Sequence, residues 1–191
     1  FILNPIFVYY LTDKEKMGEV SVIFSYLVFF NVILSYGMET AYFRFSQTHD
    51  RQKLYNTLSV SLFFSTILFS LVLWLCKDSI MHAADLEKHP EYILWMISII
   101  AVDNLNTLPF AKLRQENRPK MYAFARIAGI IINLSVVILF IGVIPSVLKN
   151  NPDSFLKSIY NPNTGIGYYL LGNLCGSLFI LLLLNREIRM I

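Results

Sequence analysis

Lys112-Leu-Arg-Gln-Glu-Asn-Arg-Pro-Lys120 separates two long apolar blocks, and each block carries a charge well inside it. Asp103 lies in the block before and Arg126 in the block after. Both blocks reach the length of about 20 residues that a helix needs to cross a bilayer. The stretch therefore reads as a turn at a membrane surface, with the two charges inside the membrane. A charge at that depth costs at least about 2.5 kcal/mol and marks a polar pathway.

Composition leads to the same solvent. The 191 residues are 55% hydrophobic and 15% charged, with a mean hydropathy of +0.54. A water-soluble domain has about 45–50% apolar and about 25% charged residues. One water-facing core cannot hide that excess, so lipid must solvate much of it. The net charge of +3 is small. Cys76 falls at a helix end and Cys175 in mid-helix, at depths too different for a disulfide, so both read as free thiols.

Six helices follow from the apolar runs, making the chain an all-α, polytopic integral membrane bundle in a single transmembrane domain, 1–191. The first, about residues 1–11, is too short to span and reads as the end of a helix that begins upstream. A signal peptide does not fit, because no basic segment or small-residue cleavage site accompanies it. The full spans are expected at 17–45, 54–75, 92–111, 121–147 and 166–185. They are helices because an open strand edge cannot be satisfied in lipid and no barrel-like alternation is present.

Basic residues orient the bundle. Arg44, Arg51, Lys53, Lys112, Arg114, Arg118, Lys120, Arg186 and Arg189 fall on one side. The lysines of the other side are diluted by Asp13, Glu15, Asp78, Asp85, Glu87, Glu91 and Asp153. Loops 46–53 and 112–120 and the C-terminal end are therefore expected in the cytoplasm. Tyrosines and tryptophans at both boundaries form the aromatic belts that such a placement requires.

Within the membrane, Asp103 lies about 16 Å along its helix from Tyr92, near the midplane. Asn106 shares its face, and Pro109 removes a backbone hydrogen bond and favours a kink. Arg126 lies just inside the membrane on the next helix and Asn133 near its centre, so Asp103 and Arg126 can pair only if their faces meet. On an earlier helix Asn31 and Glu39 add polar groups and Arg44 closes the end. Glu39 and Arg44 are roughly 140° apart around that helix and do not pair. Plainer roles stand beside these. The arginines can be surface anchors, Arg126 can snorkel, and asparagines can join helices. Gly172 and Gly176 have the spacing of a close helix contact. His49, His82 and His89 lack zinc spacing, no phosphate-cradling loop or nucleophile elbow is present, and no loop is large enough for a catalytic domain. No metal, cofactor, nucleic acid or enzymatic step is expected.

Three stretches carry a family resemblance: Thr12-Asp-Lys-Glu-Lys-Met-Gly18 with Val20-Ser-Val-Ile-Phe24, then Ser35-Tyr-Gly-Met-Glu-Thr-Ala-Tyr-Phe-Arg-Phe45, then Leu108-Pro-Phe-Ala-Lys-Leu-Arg-Gln-Glu-Asn-Arg-Pro-Lys120. They resemble segments of the polysaccharide-biosynthesis (O-antigen) flippases of the MATE-like MOP superfamily, between the second helix and the fifth. The resemblance implies half of a two-lobed transporter, the N-terminal lobe. Its expected cargo is a polyprenyl-pyrophosphate-linked oligosaccharide, flipped from the cytoplasmic to the outer leaflet of the bacterial inner membrane. It carries over Glu39, Arg44, Arg114 and Arg118, while Asp103, Asn106, Arg126 and Asn133 come from depth and residue type. Membrane lipids and other polysaccharide-assembly proteins are the implied partners, and coupling to protons or sodium stays open. A cation-coupled multidrug or metabolite antiporter and an integral-membrane enzyme on lipid-linked glycans are the alternatives.

Overall fold

A computed structural model describes residues 14–83, 90–150, 160 and 167–185. Every regular element among them is helical: α1 (Lys14–Ser35), α2 (Met38–Phe45), α3 (Arg51–Leu75), α4 (Lys77–Ala83), α5 (Glu91–Gln115), α6 (Pro119–Val137), a π-helical segment (Ile138–Val143), α7 (Ile144–Asn150) and α8 (Gly167–Leu183). Four segments are long and apolar enough to cross a membrane: Ser21–Phe45, Arg51–Leu75, Glu91–Gln115 and Pro119–Leu148. Gly167–Leu183 is apolar but shorter. The chain is thus a helical bundle of the kind that embeds in membranes. The expected partial helix at 1–11 lies outside the described residues.

Local chemistry moves several expected boundaries. The span read as 17–45 is two helices, because the chain enters left-handed conformation at Tyr36 (φ 28°) and Gly37 (φ 74°). Glycine meets no steric penalty there. Asp50 caps α3, accepting from the Gln52 and Lys53 backbone amides at 2.9 and 3.3 Å, so the helix starts at Arg51 rather than at residue 54. The connection between the expected spans 54–75 and 92–111 begins with α4.

The expected surface turn at 112–120 is mostly helix. Lys112 to Gln115 are the last turn of α5, so only Glu116–Arg118 remains as the connection to α6. A Schellman pair ends α5: the Arg118 amide donates to the Leu113 carbonyl at 2.9 Å, and Asn117 donates to Arg114 at 3.1 Å. Asn117 takes the left-handed position (φ 53°), which asparagine tolerates. Pro119 then opens α6, where its fixed φ suits the first turn.

Helix α5 is the axle of the bundle. Half of its apolar window is buried, against 17–22% for the other three spans, and it packs against α1, α2, α3, α6 and α8. Near one end Ile23, Leu27, Tyr92, Met96, Ile99, Ile100 and Leu170 form a core. At the arginine-rich end Met38, Tyr42, Tyr55, Leu62, Leu108 and Ala111 form another. Lipid gives no hydrophobic drive between helices, so close packing and buried hydrogen bonds hold them. Asn104 Nδ2 donating to Thr66 Oγ1 at 2.7 Å joins α5 to α3 in this way.

The closest helix contact is between α6 and α8. A Cβ at Gly176 would stand 2.7 Å from the Gly129 carbonyl oxygen, and one at Gly172 would stand 2.8 Å from Asn133 Oδ1. The Gly172–Gly176 spacing therefore serves backbone approach, as read from the sequence. Outward faces of the long helices are apolar, including Phe29, Phe64, Leu68 and Ile131. Cys76 and Cys175 are free thiols.

Candidate functional site

A cleft of about 510 Å³ opens between α1, α2, α5, α6 and α8. Asp103 sits at the middle of the 25 residues of α5 and projects into this cleft beside Asn106 and Thr107. Its carboxylate is bound by neutral donors. Ser177 Oγ donates to Oδ1 at 2.5 Å, and Asn31 Nδ2 approaches Oδ2 at 3.5 Å. Three helices thus converge on one carboxylate.

Asparagine amides extend the polar wall. Asn106 is buried and its Nδ2 donates to the Ser177 carbonyl at 3.1 Å. The Oδ1 atoms of Asn106 and Asn133 are buried without a hydrogen-bond partner. An orphaned amide oxygen in a low-dielectric site costs about 1–3 kcal/mol, a cost that a bound hydrogen-bond donor would relieve. Asn173 lines the same cleft.

Arginines and aromatic rings build the end nearest the α5–α6 turn. The Arg126 guanidinium carbon lies 4.2 Å from the Phe110 ring centre and 5.9 Å from that of Tyr122. Arg114 lies 5.6 Å from the Phe43 ring centre and 5.5 Å from that of Tyr122. Tyr122 thus stands between two guanidinium groups, and Phe110 meets it edge-on at 5.2 Å. Stacking holds a guanidinium flat and leaves its in-plane N–H donors available. Arg114 is also ion-paired with Glu39, which lines the cleft, so the first turn of α2 is tied to the last turn of α5.

The expected residues divide into two groups. Glu39, Asp103, Asn106, Arg126 and Asn133 line the cleft, and Arg114 reaches it through Glu39. Arg118 pairs with Glu116 at 3.2 Å within the connecting turn, and neither it nor Arg44 lines the cleft. Asp103 and Arg126 share the cleft but form no ion pair with each other: Ser177 and Asn31 bind the carboxylate and Phe110 holds the guanidinium.

Ser177, Asn173, Thr107 and Phe110 line the cleft and Tyr122 supports Phe110 and Arg126 beside it; none of them is among the site residues expected from the sequence. One signal existed. Asn173 and Ser177 are polar groups four apart on an otherwise apolar helix, which places them on one face. Among the described residues no cluster of three or more His, Cys, Asp or Glu could hold a metal ion.

No family model, curated protein or solved structure matches this chain.

Proposed function

We propose that the chain is one lobe, of about six transmembrane helices, of a two-lobed MATE-like carrier. Its cargo is a polyprenyl-pyrophosphate-linked oligosaccharide, moved from the cytoplasmic to the outer leaflet of a bacterial inner membrane. The observation that carries this reading is the order of groups along one cleft: stacked guanidinium at one end, orphaned amides and a carboxylate deeper in. A pyrophosphate needs fork-shaped cationic donors, which Arg126 supplies in the cleft and Arg114 would supply on release from Glu39. Glycan hydroxyls need acceptors and donors within the membrane, which Asn106, Asn133 and Asp103 supply. Rocking of two lobes about such a site would alternate its access. An inside-negative potential drives an anion outward by about 2.3 kcal/mol per charge per 100 mV. Arg44 and Arg118, outside the cleft, act in this scheme as a basic rim at the cytoplasmic face.

The decisive measurement is surface display of the glycan in cells whose sole carrier is the full-length protein. Arg126→Ala is expected to reduce display at least about tenfold, through loss of a charge-assisted contact worth about 1.5–3 kcal/mol. Normal display by both Arg126→Ala and Asp103→Asn, at normal protein levels, would overturn the proposal.

One observation favours the antiporter as the second reading. Asp103 has neutral partners only, and Glu39 compensates Arg114, so the cleft is not strongly cationic. Uptake or extrusion of a small cation, abolished by Asp103→Asn and untouched by Arg126→Ala, would support that carrier instead.

A further inference from the structure

On the opposite side of α5 runs a second cavity, an apolar groove of about 600 Å³ between α3, α5 and α8. On α5 its lining residues Leu105, Leu108 and Pro109 point roughly 140° away from Asp103, Asn106 and Phe110. All three walls change polarity in the same direction. Along α3, Phe63 and Leu62 give way to Ser59 and then Tyr55 in the groove, and Arg51 continues that i, i+4 face beyond it. On α5, Leu105 and Leu108 are followed one turn on by Lys112, whose Nζ lies 4.6 Å from the Tyr55 ring centre. At the end of α8, Leu181 and Leu182 lead to Asn185 just beyond the helix. Ser59 Oγ is buried without a hydrogen-bond partner.

We propose that this groove is a binding site for an anionic membrane phospholipid, with one acyl chain in the groove and the phosphate at the arginine-rich end. Three aligned gradients from apolar to polar, two ending in a cation (Arg51 and Lys112) and one in the Asn185 amide, match an amphiphile of negative headgroup, and a lone apolar face would not require them. The dimensions agree: Arg51 to Phe63 spans about 18 Å of helix, against about 15 Å for the hydrocarbon of one leaflet. Ser59 offers a donor where the ester carbonyls of such a lipid would lie. The tail of a transported lipid is a poorer occupant, because α5 stands between this groove and the charged cleft. The site rests on the chain being membrane-embedded and is independent of the transport reading.

The test places the full chain in nanodiscs of phosphatidylcholine with or without phosphatidylglycerol and counts retained lipids by native mass spectrometry. One phosphatidylglycerol is expected to be kept in preference to phosphatidylcholine. Arg51→Gln, on an exposed residue, should weaken that retention about fivefold, the effect of one basic group at a membrane surface. Val60 also lines the groove and is exposed, so Val60→Trp should fill the groove and release the lipid while leaving the thermal midpoint unchanged. Equal retention of the two lipids, or wild-type retention by both variants, would overturn the site. Photocrosslinking from a benzoylphenylalanine in place of Phe64 gives an independent arm. Labelled lipid supports the site, whereas crosslinks to residues 1–13 would assign the groove to the chain's own N-terminal segment.

Discussion

At the scale of single residues, the cleft separates charge from hydrogen bonding. Asp103→Asn keeps a carbonyl oxygen that can accept from Ser177, so the bundle should fold normally while any function that needs the negative charge is lost. Equal detergent-solubilised yield and thermal midpoint, with lost transport, is the expected pair of results. The Glu39–Arg114 pair makes a contrasting case. Its side chains are 34% and 42% exposed, and such pairs contribute about 0–1 kcal/mol. Glu39→Gln should therefore leave the midpoint within a few degrees of wild type and instead release Arg114 for an anion. Tighter retention of inorganic pyrophosphate, measured by isothermal calorimetry, would show that release, and unchanged retention would deny it.

Residue-scale features were partly legible in the sequence. The depth of Asp103 followed from counting along one helix, and counting is local. Its partners were not legible, because Ser177 is 74 positions away and Asn31 is 72, and facing between helices depends on the whole packing. Lys112 misled for a related reason. Its charge suggested a surface loop, yet the residue is 4% exposed and lies over Tyr55.

Among the elements, the α6–α8 contact and the α1–α2 break should respond most sharply to substitution. Gly176→Leu drives a side chain into the Gly129 backbone, which cannot yield, and should cost at least about 2 kcal/mol by separating the helices. Gly129→Ala instead meets the flexible Cδ1 of Ile180 at 2.5 Å, which can move aside, so it should be milder. A ladder of unfolding midpoints in sodium dodecyl sulfate titration, Gly176→Leu far below Gly129→Ala, is the expected order. Gly37→Ala places a Cβ on a left-handed residue and should cost about 1 kcal/mol in the same assay. Helix existence was legible here and helix ends were not. Hydropathy marks where a helix leaves the hydrocarbon, while caps mark where it stops. The last turn of α5 lies beyond the first boundary and before the second.

For the whole molecule, orientation is the property to establish. The positive-inside count predicts a cytoplasmic α5–α6 turn. In a Cys76→Ser, Cys175→Ser background, Arg118→Cys should resist an impermeant maleimide in intact cells and react after lysis, whereas Asp78→Cys should react before it. The reverse pattern would invert the bundle and remove the electrical drive proposed for an outward-moving anion.

The π-helical segment Ile138–Val143 gives this architecture a place to store a residue. Each position in an α-helix turns about 100°, so deleting one residue from the first half of α6 would swing Arg126 off the cleft or pull it out of register with Asn133. Within 138–143 a deletion has somewhere to go: the wide turn can tighten to ordinary α-helix and leave everything before it in place. The upper part of this span can therefore lose a residue without the cleft noticing, and length variation should collect there rather than near the arginines.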